Sequence, residues 1–244
     1  FVLPAFIIIH KNKPSCVWLL GLIVVCLFVA GYISGHHRLS SHPVKFDTIT
    51  RVVVVQPNIS QEDKWEDDKL VPNFLDHLRV TKSAGLETMG VPTDKAERTF
   101  VIWPESALNP YILKQDQSLD LITGTLEAFS GDAFLVAGAM RQESTPLEKL
   151  FYNSLIMINQ EGRISTAYDK HHLVPFGEYI PFKNVFDITP VVGFSGFQKG
   201  SGPSVISPEN GPSFIPLICY EAIFPYMTQH NKSTRPEWMV NVTN

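Results

Sequence analysis

The chain has 244 residues, a formal net charge of −4 and 18% charged residues. This length suits one domain of ordinary size together with a further segment. The mild acidity argues against the basic patch that nucleic-acid-binding proteins use, so we expect no nucleic-acid partner.

The N-terminal segment is typical of a membrane protein. Residues 17–34 carry no charge and are long enough to cross a hydrocarbon core at about 1.5 Å per residue. A signal peptide and a buried core helix are the alternatives, but the run is too long for a signal peptide and no A-x-A-like cleavage site follows it. Residues 1–9 resemble the end of an earlier span. We therefore predict that residues 1–35 are the remnant of a multi-pass membrane bundle and that residues 36–50 form a linker.

The lysines next to this segment predict its orientation. Lys11 and Lys13 precede the span, whereas Arg38 is the one firm cation directly after it. The positive-inside rule places the two lysines in the cytoplasm and the polar part of the chain on the outer side. Because the sequence opens without methionine and stops within a predicted strand, we expect it to be truncated at both ends.

After residue 50, apolar β-branched runs alternate with amphipathic patterns. Several runs are continuously apolar, as expected when both faces of a sheet are covered. The α-helices are predicted at residues 67–85 and 117–131, each ending near a glycine, with a hairpin turn at residues 158–165. This alternation predicts an α/β layered domain over residues 51–244, incomplete at its C-terminus. The predicted strands are Arg51–Val55, Thr99–Trp103, Ala133–Met140, Ser154–Ile158, Phe214–Cys219 and Trp238–Val242.

A long segment, residues 175–202, interrupts the alternation and is rich in Pro, Gly and Phe. A loop of this length in a compact domain is usually functional or mobile. Its aromatic rings either pack beneath the loop or form a lid or lipid-facing flap. These rings are Phe176, Tyr179, Phe182, Phe186, Phe194 and Phe197.

Cys219 is the one cysteine of the predicted soluble part, so it has no disulfide partner there. It is either a buried core residue or a nucleophile. It ends a predicted strand, and residues 221–230 are predicted to form a short helix whose N-terminus would favour a thiolate. A thiol of ordinary pKa also needs a base or a cation nearby.

Two other strand ends offer such groups. Pro104 disfavours helix at Trp103, which predicts that the strand stops there and leaves Glu105 at its end. Lys170 follows a strand-like run, and Glu178 comes eight positions later. Each is more commonly a solvated surface charge, but with Cys219 they could supply a base, a cation and a nucleophile.

Five strings now appear in a diagnostic order: KW, WPES, YDKHHLVPFGEY, ICYE and NVTN. In this order they closely resemble the apolipoprotein N-acyltransferases, the integral-membrane branch of the nitrilase, or carbon–nitrogen hydrolase, superfamily. The resemblance covers residues 51–244 and implies an α-β-β-α sandwich with a Glu–Lys–Cys triad. It assigns Glu105 as the general base, Lys170 as the oxyanion-stabilising cation and Cys219 as the nucleophile. The family's other functionally sensitive positions match Trp65, Glu178, Tyr220 and Glu221.

The resemblance also implies a reaction and its partners. A fatty acyl chain would pass from a phospholipid, through a cysteine thioester, to the N-terminal amine of a diacylglyceryl-cysteine on an apolipoprotein. The enzyme would lie in the bacterial inner membrane as a multi-pass protein, with its catalytic domain on the periplasmic face. It would use no cofactor. The alternatives are a membrane-tethered amidase or nitrilase that uses water as the acceptor, and a binding module without turnover.

A metal site is the weakest alternative. His171 and His172 are adjacent, so on a strand they point to opposite faces and do not readily share an ion. We therefore predict no metal ligand in this chain.

Overall fold

The computed structural model describes residues 14–42, 47–88, 96–146, 148–179, 181, 196–229 and 235–243. The chain divides into two compact units, Phe1–Phe46 and Asp47–Asn244. The predicted earlier span, Lys11 and Lys13 lie outside the described residues. So do Phe182, Phe186 and Phe194 of the aromatic segment.

The first unit contains one long helix, α1 (Pro14–Ser41). Its stretch Trp18–Ser41 has a mean hydropathy of 2.2 and is long and apolar enough to cross a membrane. Large apolar side chains along it are exposed, Trp18 and Phe28 by more than three quarters. The helix continues beyond Ser34, so residues 36–41 are helical rather than part of the predicted linker. Gly35 alone does not end a helix, because a single glycine costs only about 1 kcal/mol relative to alanine.

The second unit is built around a five-stranded sheet in the order β1-β2-β3-β4-β5. Strands β1, β2 and β3 are parallel, whereas β4 is antiparallel to both β3 and β5. The hairpin that joins β4 to β5 lies where residues 158–165 predicted it. The strands are β1 (Thr50–Val54), β2 (Arg98–Leu108), β3 (Asp132–Ser144), β4 (Lys149–Ile158) and β5 (Ile164–Asp169).

One face of this sheet is covered by helices. These are α2 (Leu70–Thr88), α3 (Pro110–Leu113) and α4 (Asp116–Leu126). Their buried side chains share a core with Val101 and Trp103 of β2. Helix α2 continues past Gly85, which was predicted to lie near its end. Gly85 is needed for packing instead, since a Cβ there would collide with the Ala128 side chain.

The opposite face carries a two-stranded parallel sheet of β6 (Phe214–Ile218) and β7 (Trp238–Val242). Phe100 and Ile102, which alternate with Val101 and Trp103 along β2, pack into this second core. Strand β2 is therefore covered on both faces, which explains its continuous apolar sequence. The predicted α/β layered class is confirmed.

Strand β2 is longer than predicted, and the added part contains Glu105. It does not stop at Trp103 but runs through Pro104 to Leu108, and its register with β3 shifts between Trp103 and Leu108. Ser106 has a positive φ of 54°. A bulge tolerates a proline, because the missing N–H falls where the ladder is already interrupted. Glu105 thus lies in a bulge and not at a strand end.

The chain after β6 also differs from the prediction. Instead of one short α-helix, Cys219–Ile223 and Pro225–Thr228 form two turns of 3-10 helix. Pro225 cannot donate to a continuing helix, which separates the two turns. The predicted α-helix N-terminus beside Cys219 is therefore wrong.

Candidate active site

The bulge in β2 presents the Glu105 carboxylate to the ends of neighbouring strands. Glu105 Oε1 accepts a hydrogen bond from Asn153 Nδ2 of β4 at 2.8 Å. Lys170 Nζ lies 3.6 Å from the same oxygen. The carboxylate is largely buried, since only 14% of the Glu105 side chain is exposed. The carboxylate is thus held between an amide donor and an ammonium.

Lys170 is the charge at the centre of the site. Its side chain is only 1% exposed and also contacts Glu178 Oε1 at 2.9 Å. Its backbone is fixed on both sides, because its N–H donates to the Asn153 carbonyl and its own carbonyl accepts from Gly200. A buried ammonium is stable only when paired, and here two carboxylates pair with it.

Glu178 completes this cluster from the turn after β5. Its Oε1 accepts from both Lys170 Nζ and Asn153 Nδ2, at 2.9 and 2.7 Å. Its Oε2 accepts from the Val174 N–H at 2.8 Å. Glu178 therefore orients Lys170 and ties the start of the aromatic segment to the site.

Asn153 is a site residue that the sequence reasoning missed. Its amide bridges the two carboxylates from the middle of β4 and is almost fully buried. The available signal was the polar pair Asn153 and Ser154 in the otherwise apolar run around residues 151–158. A buried amide in a strand needs partners, and such an Asn therefore indicates polar groups nearby.

Cys219 stands at the end of β6, in a strained conformation. Its φ is +51°, a region that residues other than glycine rarely adopt and that occurs at sites where function requires a particular geometry. The residue is neither fully buried nor fully exposed. Within the described part of the chain its sulfur makes no hydrogen bond to Glu105 or Lys170. Catalytic hydrogen bonds are often long without substrate and shorten when it binds.

Lys64 connects the thiol and the carboxylate electrostatically. Burial lowers the pKa of Lys64, and the nearby Glu105 and Cys219 oppose that shift. Carboxylate and thiol therefore both lie within electrostatic range of the same ammonium. Together Lys64, Lys170, Glu105 and Glu178 carry no net formal charge.

Glu221 holds the turn of Cys219 against the strand end that carries Lys170. The carboxylate is fully buried. Oε1 accepts from the Tyr168 hydroxyl and from the N–H groups of His171 and His172, at 2.8 to 3.0 Å. Oε2 accepts from the Ile218 N–H at 3.0 Å. Burial and the adjacent Glu221 raise the pKa of Tyr168, so its hydroxyl stays protonated and donates.

A second network braces Lys170 from the side of its own strand. Arg141 of β3 forms two hydrogen bonds to the Asp169 carboxylate, at 3.1 and 2.7 Å. Ser154 of β4 donates to the same carboxylate at 2.6 Å. Since Asp169 directly precedes Lys170, three strands fix the point from which the ammonium projects.

Tyr220 and Trp65 are the remaining predicted site residues. Tyr220 packs on Phe224 and His172, with ring centroids 5.0 and 5.7 Å apart, and is partly exposed. Trp65 ends the 3-10 turn Asp63–Trp65, but its side chain lies outside the described atoms. His171 and His172 bond to the Gly200 carbonyl and the Tyr226 hydroxyl. In the described residues no three His, Cys, Asp or Glu side chains group as metal ligands would.

Comparison with known proteins places this arrangement in a family. The model of the carbon–nitrogen hydrolase family matches residues 51–244. This chain belongs to that family. An amidase from Nesterenkonia sp. has the same fold, with a TM-score of 0.50 and 17% identity over 83% of this chain and 68% of the amidase.

Within the carbon–nitrogen hydrolases, the chain is similar to proteins described as apolipoprotein N-acyltransferases. It is 32% identical to one from Bradyrhizobium diazoefficiens and 36% identical to one from Sinorhizobium fredii. Each match covers 100% of this chain and 45% of the relative. The chain thus spans less than half the length of these relatives.

In this carbon–nitrogen hydrolase, Gly138 lets β3 pass close to the bulge that carries Glu105. A Cβ at Gly138 would come within 2.8 Å of the Ser106 nitrogen and closer still to the Glu105 Cα. We expect Gly138→Ala to move the Glu105 backbone. With Glu105 as the base proposed below, kcat should fall by about 10²-fold, since misplacing a reacting group by about 1 Å has that effect. Overpacking should also lower the free energy of unfolding by about 1–3 kcal/mol.

The matched control is Gly124→Ala on helix α4, where nothing lies within 4 Å of the added Cβ. This change should leave kcat unaltered and leave stability unaltered or slightly higher. Steady-state kinetics and thermal unfolding of both variants test the expectation. Wild-type kcat in Gly138→Ala would show that the bulge does not need the glycine.

The Glu221 carboxylate is also expected to be irreplaceable. In Glu221→Gln, the amide NH₂ must face either Ile218 or the three donors on the other side, and an N–H cannot accept from them. We expect the free energy of unfolding to fall by about 2–3 kcal/mol and activity to fall more than about tenfold.

Chemical denaturation and activity assays check this expectation, with Glu209→Gln on the exposed turn before β6 as the control. Equal stability and activity in Glu221→Gln and Glu209→Gln would contradict the role given to Glu221.

Proposed function

We propose that the chain is the catalytic part of an apolipoprotein N-acyltransferase of the bacterial inner membrane. The observation that carries the proposal is one arrangement: a buried Lys170 between two carboxylates, with a lone half-buried thiol in a strained turn bound to the same strand end. This arrangement supplies the three groups that acyl transfer through a thioester needs.

In the first half-reaction, Glu105 takes the thiol proton and the Cys219 sulfur attacks the ester carbonyl of a phospholipid. Lys170 and the backbone N–H of Tyr220 stabilise the tetrahedral oxyanion. The bond to the glycerol oxygen then breaks, and that oxygen takes the proton from Glu105. A lysophospholipid leaves, and the acyl chain remains on sulfur as a thioester.

In the second half-reaction, the α-amino group of a diacylglyceryl-cysteine attacks the thioester carbonyl. An α-amino group has an ordinary pKa of about 8 and is partly protonated at neutral pH, so a base is again required. Glu105 takes the amine proton, the C–S bond breaks, and Glu105 passes that proton to the departing sulfur. An amide is more stable than a thioester, which makes the transfer favourable.

Exposed apolar side chains near the site favour lipid substrates. Two of them flank Glu178 at the start of the aromatic segment, and the other three lie in the turns after Cys219. Each is more than a third exposed. Each CH₂ of an acyl chain that such a surface buries contributes about 0.8 kcal/mol. These side chains are Phe176, Tyr179, Tyr220, Ile223 and Tyr226.

The similarity to named N-acyltransferases and the apolar helix α1 favour a membrane enzyme. The further details are part of the proposal: several spans in the intact protein, a catalytic unit on the periplasmic face, and Trp65, Glu178, Tyr220 and Glu221 as supporting residues. The donor is a phospholipid and the acceptor a diacylglyceryl apolipoprotein. No cofactor takes part.

The second candidate is a membrane-tethered amidase or nitrilase, which would pass the acyl group to water. The observation that favours this second candidate is the fold shared with the Nesterenkonia amidase. The two candidates differ in one product, because transfer yields an N-acyl amide whereas hydrolysis yields a free fatty acid.

The test follows the acyl group. The protein is reconstituted in vesicles with a phospholipid labelled in its acyl chain and a synthetic diacylglyceryl-cysteine peptide. We expect label on the peptide amine, and label released only as free fatty acid would overturn the proposal in favour of a hydrolase. A peptide with an acetylated N-terminus is the control and should accept no label.

A further inference from the structure

Lys64 reaches the site from a different part of the fold than Lys170. It lies in the 3-10 turn Asp63–Trp65, before helix α2, and is partly buried. Its Nζ donates a hydrogen bond to the backbone carbonyl of Glu105 at 2.7 Å, across 41 positions of sequence. The resemblance to the family gave this lysine no role.

The bulge in β2 explains why the Glu105 carbonyl needs such a partner. Between Trp103 and Leu108 the register of β2 with β3 shifts, and residues 104–107 have no register partner on β3. A buried carbonyl without a partner is costly, and the Lys64 ammonium supplies a charge-assisted hydrogen bond. Lys64 therefore fixes the backbone from which the Glu105 carboxylate projects.

Two clefts meet at Lys64. Both are lined by Ile59, Lys64 and His77, and they follow the two sides of the β2 bulge. Neither cleft is lined by Glu105, Lys170 or Cys219, so they lie behind the base and not around its carboxylate. Of the described residues that line the clefts, Lys64 is the only lysine or arginine.

His77 lines both clefts beside Lys64 but adds no positive charge to them. The ring is 99% buried, and its Nδ1 lies 2.7 Å from the Asn73 carbonyl, which can only accept. Nδ1 therefore carries the proton. Burial lowers the pKa of His77, so the ring is neutral at neutral pH and adds no charge. In the described part of the chain Nε2 has no hydrogen-bond partner.

The positive charge of Lys64 interacts electrostatically with two groups of the site, Glu105 and Cys219. A positive charge near a thiol favours the thiolate, which is the reactive form. The other charged or titratable groups around this region include Asp67, His77 and Tyr111 beside the clefts, Asp76 near His77, Lys170 and Glu178 in the buried cluster, and Glu221 and His172 around the turn of Cys219.

We propose that Lys64 is a positioning residue that the reaction needs in addition to Lys170: it holds the Glu105 backbone in place, and its charge favours the Cys219 thiolate. The inference rests on the proposed function, since it takes Cys219 as the nucleophile.

The test measures thiolate formation directly. The full chain is treated with iodoacetamide between pH 5.5 and 9.5, and alkylation of the Cys219 peptide is followed by mass spectrometry, which separates it from Cys16 and Cys26. In Lys64→Met we expect the alkylation rate at pH 7 to fall about tenfold, because the positive charge that favours the reactive thiolate is lost. Lys64→Arg should keep a profile close to the wild type.

Two further variants separate charge from structure. Lys64→Gln retains a donor for the Glu105 carbonyl without the charge, so it should show the slower alkylation of Cys219 with less loss of acyl transfer than Lys64→Met. It also replaces Lys64→Met if that variant does not fold. Lys82→Met removes an exposed charge from helix α2 and should leave the profile unchanged.

Wild-type profiles in both Lys64→Met and Lys64→Gln would overturn the role of Lys64. Alkylation requires no acyl donor, so this outcome is distinct from failure of the proposed function. If wild-type protein takes up no acyl group yet Cys219 alkylation still slows in Lys64→Met, the electrostatic role stands and the assigned reaction is wrong.

Discussion

Cys219→Ala is expected to abolish acyl transfer, by about 10⁴-fold or more, while the protein stays folded and inserted in the membrane. The sulfur is the only atom of the proposed site that forms a bond to the acyl group, so no other group can replace it. Removing a nucleophile from a catalytic unit has effects of this size or larger. Alanine keeps the Cβ and should cost little stability, since Cys219 is only partly buried.

The assay is transfer of labelled acyl chains to the diacylglyceryl peptide in vesicles. The matched control is Cys26→Ala, which removes an exposed thiol from helix α1 and should retain wild-type transfer. Transfer by Cys219→Ala at even a tenth of the wild-type rate would show that another group carries the acyl chain.

Lys170→Met is expected to have the second largest effect, because it removes both a catalytic charge and a structural one. Loss of one oxyanion donor typically lowers kcat by about 10²–10³-fold. The change also removes the cation that lies between Glu105 and Glu178, and both carboxylates bind the same Asn153 amide. Breaking a buried ion pair in this way costs about 3–5 kcal/mol.

A double variant separates the two contributions. Lys170→Met/Glu178→Gln removes one of the two carboxylates, so it should recover much of the lost stability in thermal unfolding. It should recover none of the lost acyl transfer, because the oxyanion still lacks its cation. Lys199→Met, an exposed lysine nearby in sequence, is the control and should match the wild type in both assays.

Recovery of transfer in the double variant would contradict a direct role of Lys170 in the reaction. Its only role would then be to neutralise the two glutamates. Equal stability of Lys170→Met and wild type would contradict the ion-pair account of the cluster.

Most of the strands could be predicted from the sequence, because they contain short runs of apolar and β-branched residues. For Trp238–Val242 the predicted strand and the observed β7 coincide. The apolar run of β2 packs into both cores, and such a run leaves little choice of structure. The helix ends were less predictable, as Gly85 shows: its role is to pack against Ala128, and that contact is not local in sequence.

The site was predictable only in part. The resemblance named Glu105, Lys170, Glu178, Cys219 and Glu221, and the structure brings the first three together and anchors the turn of Cys219 through Glu221. The resemblance could not show that Glu105 lies in a bulge, because a proline such as Pro104 is found both at strand ends and in bulges. The register shift that decides between them depends on β3 and Gly138.

Asn153 and Lys64 were missed for a similar reason. Each acts through one or two long-range hydrogen bonds, to residues 25, 48 and 41 positions away. A single polar residue gives no periodic signal, so its partners become visible only when the strands and turns are placed. Such long-range polar contacts are what the fold adds to the sequence motifs.

The central claim is that Cys219 carries the acyl group between two substrates. It is tested most directly by measuring the mass of the enzyme between the two half-reactions. The protein is incubated with a phospholipid of known acyl composition and no acceptor, and is then examined by intact-mass and peptide mass spectrometry. We predict an added mass of one acyl chain on the Cys219 peptide, which disappears when the diacylglyceryl peptide is added. A Cys219 that stays unmodified, in a preparation that nevertheless acylates the peptide, would contradict the account.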